Sequence, residues 1–79
     1  MYMNFDHCNT KDEVMRKQYE YNLDIDNLIE FCYTELNLTQ QQTESLKDWQ
    51  VYERQRLGRL ARQRLAKLGF TYRVKPEIL

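Results

Sequence analysis

The stretch best equipped for chemistry is 54–69, RQRLGRLARQRLAKLG, which holds Arg54, Arg56, Arg59, Arg62, Arg64 and Lys67 and no acid. Guanidinium forks match phosphates and base edges, and a row of them on a rigid helix can lie along a polyanion. At helical spacing Leu57, Ala61, Leu65 and Leu68 share one stripe. Arg56, Arg59, Arg62 and Lys67 spread over the opposite side, with Tyr52 among them. Nucleic-acid binding through 54–67 is therefore the leading expectation. If about five of these side chains met phosphates of duplex DNA, log affinity would fall with log salt at a slope of roughly −4 to −5.

A cationic helix with an apolar back has other uses. It can pair with acidic helices of its own fold, or meet a protein partner. Arginine and aromatic side chains are enriched among interface anchors, which makes Trp49, Tyr52 and Phe31 the interface candidates. A small adaptor or inhibitor, of the kind a phage or other mobile element encodes, is the alternative reading. A membrane-surface role is disfavoured, because the acidic part of the chain repels anionic lipid.

Catalytic chemistry finds little support. The sole histidine, His7, lies in a segment expected to be loosely ordered, and the carboxylates fall on polar helix faces. Gly58 and Gly69 stand too far apart to build a nucleotide-binding or nucleophile-elbow motif. His7, Cys8 and Cys32 offer metal-ligand types, with Asp6 or Asp12 as a fourth. They lack the two close pairs of a structural zinc site. The expectation is no enzyme, no metal and no cofactor. Cys8 and Cys32 read as free thiols, Cys32 as a small hydrophobe on an apolar stripe, and the start MYMNFDHCN lacks a signal-peptide pattern. Together these suggest a reducing, cytoplasmic setting.

The elements that must position these residues follow from composition and period. The 79 residues suffice for one domain, 1–79, and 42% hydrophobic with 30% charged is too apolar for disorder. Two glycines and one proline exclude turn-rich all-β and collagen-like chains, and no apolar run is long enough to span a membrane. The zero net charge conceals an asymmetry. Residues 1–39 carry three cations against eight acids, net −5, and residues 40–79 carry nine against four, net +5.

Met1, Met3 and Phe5 alternate with polar neighbours, a weak strand pattern. Thr10 and Glu13 suit a capping box for a first helix of about 11–21, which Asn22-Leu23-Asp24 interrupts. A second helix of about 25–37 carries Ile25, Leu28, Ile29, Cys32 and Leu36 on one stripe, and Asn37 suits a left-handed end. Thr39 and Gln42 cap a third helix of about 40–68, with Gly58 a weak point and Gly69 the terminator. Phe70, Tyr72 and Val74 then alternate as a short strand. Leu38–Trp49 resembles the opening of a helix-turn-helix. However, Glu44 replaces the small residue and Asp48 the turn glycine of that motif, and no breaker follows before Leu57.

The expected fold is mainly α: two short acidic helices and one long basic helix, with a short two-stranded pairing of the termini as one partner for the strand amides. A core this small yields about 3–5 kcal/mol, and three short helices cannot cover both Trp49 and Leu65, so a homodimer is expected.

Overall fold

The structure, a computed structural model, describes residues 1–70. It contains two antiparallel helices, α1 (Lys11–Glu35) and α2 (Gln40–Lys67), joined by residues 36–39. The expected three helices are two, because the first and second are one continuous α1. Asn22 and Asp24 each cost at most about 0.7 kcal/mol relative to Ala in a helix, and neither Gly nor Pro interrupts the run. Burying Ile25, which is fully enclosed, is worth about 2 kcal/mol, and the Asn22 side chain accepts a hydrogen bond from Arg54 Nη1 at 2.8 Å. Tertiary contacts outweigh the local interruption. The single uninterrupted α2 likewise leaves no room for a helix-turn-helix between Leu38 and Trp49, and it runs through Gly58 without a break.

The helix ends follow their side chains. Thr39 and Gln42 form a full capping box: Thr39 Oγ1 accepts from the Gln42 amide at 3.1 Å, and Gln42 Oε1 accepts from the Thr39 amide at 3.0 Å. At α1 the Thr10 hydroxyl accepts from the Glu13 amide, but the Glu13 carboxylate reaches one residue further back, to the Asn9 amide at 3.1 Å. Asn37 is not a left-handed terminator. Instead α1 ends because Leu36 turns extended, at φ −112° and ψ 140°. Gly69 does adopt positive φ, 95°, and the Gly69 and Phe70 amides donate back to Ala66 and Leu65 in a Schellman end. Met1–Phe5 form no strand and Phe70 is in none; the rest of the strand expected after Gly69 lies outside the described residues.

Two helices alone bury only the stripe where they touch: Val14 and Ile25 of α1 against Leu57, Ala61 and Leu65 of α2. The third wall of the core is the N-terminal segment, which runs as an irregular arm across one side of the pair and buries Met3, Phe5 and Cys8. The expectation of a loosely ordered start is thus corrected. The Phe5 ring meets Tyr21 edge-on at 5.5 Å, and the Tyr21 hydroxyl accepts from the Asn4 amide at 2.9 Å while donating to the Asn4 carbonyl at 3.1 Å. Lys17 Nζ stands over the Tyr21 ring, 5.0 Å from its centroid.

Phe5→Ala is expected to destabilise the fold by about 3 kcal/mol, read as a lowered thermal midpoint. Burial, reinforced by the Glu13 carboxylate, pushes the Cys8 thiol above its ordinary value. An unfolded thiol ionises first, so stability is insensitive to Cys8 below about pH 8.5 and falls as pH rises beyond it. Denaturation of Cys8→Ala across alkaline pH is expected to show a shallower decline than wild type.

Candidate nucleic-acid interface

Helix α2 carries all six cations singled out above, and the fold divides them into two groups. Arg54 donates to Asn22 and pairs with Asp26 across the helix interface. Arg56 Nη1 donates to the Met1 carbonyl at 2.7 Å and lies 3.5 Å from Glu53. Arg64 Nε donates to the Cys8 carbonyl at 2.9 Å. These three side chains are half-buried and hold the arm and α1 in place. Arg59, Arg62 and Lys67 are exposed, and no described residue forms a salt bridge or hydrogen bond with them.

Arg59 lies on the outer side of α2 with Tyr52 and Gln55, Arg62 borders the groove where α2 meets Met15 and Gln18 of α1, and Lys67 lies with Gln63 beside the N-terminal arm. Between Tyr52 and Lys67 α2 exposes no acid; the one acid in that span, Glu53, is only 3% exposed. Glu53 is the residue the sequence pattern concealed. It reads as one more surface acid, yet it is buried beside the Met1 amino group at 3.6 Å and Arg56. A buried carboxylate is tolerated only with such partners.

The aromatic candidates also separate. Trp49 is half-buried and packs against the core. Phe31 is exposed near the hairpin turn, and Tyr52 is exposed on the cationic side of α2. Both cysteines are unpaired. Among the described residues no group of three His, Cys, Asp or Glu side chains gathers as a metal site, and no helix is long and apolar enough to cross a membrane.

Folding also redistributes the charge. Residues 24–53, the turn end of the hairpin, carry seven acids and one lysine, net −6. Residues 1–23 and 54–70, the open end, carry nine cations and four acids, net +5. The acidic and basic segments therefore sit end to end, and Arg54–Asp26 is the one salt bridge between α1 and α2 among the described residues. Comparison with protein-family models, curated proteins and solved structures finds no match to this chain.

Arginines that hold the fold should differ in stability terms from those that do not. Arg56→Ala, which strips Glu53 of a partner, is expected to lower stability by about 1–2 kcal/mol. Arg59→Ala is expected to stay within about 0.5 kcal/mol of wild type. Urea denaturation of the two variants checks the contrast.

Proposed function

We propose that the chain is a non-catalytic nucleic-acid-binding protein that docks through α2. The observation that carries this reading is that α2 exposes no acid between Tyr52 and Lys67, while Arg59, Arg62 and Lys67 remain uncommitted. About 22 Å of helix separates the ends of this span, a rigid track long enough to follow several phosphates. Tyr52 adds an exposed ring on which a base can stack. The net positive open end draws a polyanion toward this span and away from the turn.

The number of uncommitted cations sets the magnitude. Three phosphate contacts give a slope of about −2.7 in log affinity against log salt, shallower than five would. Fluorescence anisotropy with a short labelled duplex and a single strand measures it. Wild type is expected to bind at low salt, and Arg59→Glu with Arg62→Glu is expected to abolish binding with helicity unchanged by circular dichroism. Absence of binding by wild type to either probe would refute the proposal and leave the adaptor or inhibitor reading, for which exposed Phe31 is the anchor to mutate.

A further inference from the structure

The arm covers one side of the helix pair, and no described residue covers the opposite side. That side is marked by Asn22 and Asp26 of α1 meeting Arg54 of α2. Stepping along α1 by three or four residues from this point reaches Met15 and Tyr19 in one direction and Tyr33 in the other. The same steps along α2 reach Val51 on the turn side and Gly58, Ala61 and Leu65 on the open side. Met15, Gly58, Ala61 and Leu65 line one continuous groove between the helices. Met15, Tyr19, Tyr33 and Val51 are large apolar side chains left exposed.

We infer that the uncovered side is a homodimer interface, in which two copies pack antiparallel as a four-helix bundle. Charge fixes both the occupant and the direction. A two-fold axis near Arg54 and Asp26 lays the open end of one copy, net +5, on the turn end of the other, net −6. A parallel arrangement sets like ends together. Within the antiparallel pair Met15 of one copy approaches Tyr33 of the other. The Arg54–Asp26 pairs form a polar layer at the centre that penalises slipped registers.

Sedimentation equilibrium over a range of micromolar concentrations tests this. Wild type is expected at twice the 9.8 kDa of one chain, with association weakening as salt rises. Val51→Glu and, separately, Tyr33→Glu change exposed positions and are expected to weaken association about tenfold or more with helicity retained. Glu30→Lys with Glu44→Lys, which reverses charge at the turn end only, should weaken it as well. A strictly monomeric wild type, or a dimer indifferent to both Val51→Glu and Tyr33→Glu, would overturn the inference. Neither Val51 nor Tyr33 belongs to the Arg59–Lys67 track, so loss of dimer and loss of nucleic-acid binding are read separately.

Discussion

The fold depends on how the N-terminal arm closes its core. Two antiparallel helices form a single layer, and each buries one narrow stripe against the other. Met3, Phe5 and Cys8 supply the missing apolar wall, and their backbone is fastened at three levels: by Arg56 at Met1, by Tyr21 at Asn4 and by Arg64 at Cys8. The helix that bears the cationic cluster is therefore also the element to which the arm is tied. Half of the cluster is structural for that reason, and what remains for a partner is the set of exposed cations, Arg59, Arg62 and Lys67.

Antiparallel packing has an electrostatic consequence. Two helices of opposite charge, laid side by side in full register, would neutralise each other if charge were uniform along them. Here the basic residues crowd the second half of α2, and the acids in the second half of α1 have no cation among them, so reversal at the turn sets the two charges at opposite ends. The long axis becomes strongly polarised. Surface ion pairs contribute little to stability, but a charge separation of this kind steers encounters and selects the orientation of self-association.

Much of this was legible in the chain. The capping box at Thr39, the end at Gly69, the stripe Leu57–Ala61–Leu65 and the helical class all rest on local rules of period and capping, and such rules need no knowledge of distant residues. The break expected at Asn22 was misread because the decisive contacts, Arg54 on Asn22 and the burial of Ile25, lie across the hairpin. The arm was misread for the same reason. A nine-residue segment with weak alternation carries no periodic signal, and its order derives from Tyr21 and Arg64 far along the chain.

The sequence by itself determined the helices, their caps, the acid-free cationic run and the imbalance between its halves, because each follows from residue type and spacing within one or two turns. Only the tertiary structure decided which arginines are free. That division depends on whether a carbonyl, an amide oxygen or a carboxylate from elsewhere in the chain comes within hydrogen-bond reach, and the folded path of the arm and of α1 sets this. The same path buries Glu53, merges two expected helices into one and, among the described residues, leaves one side of the hairpin uncovered.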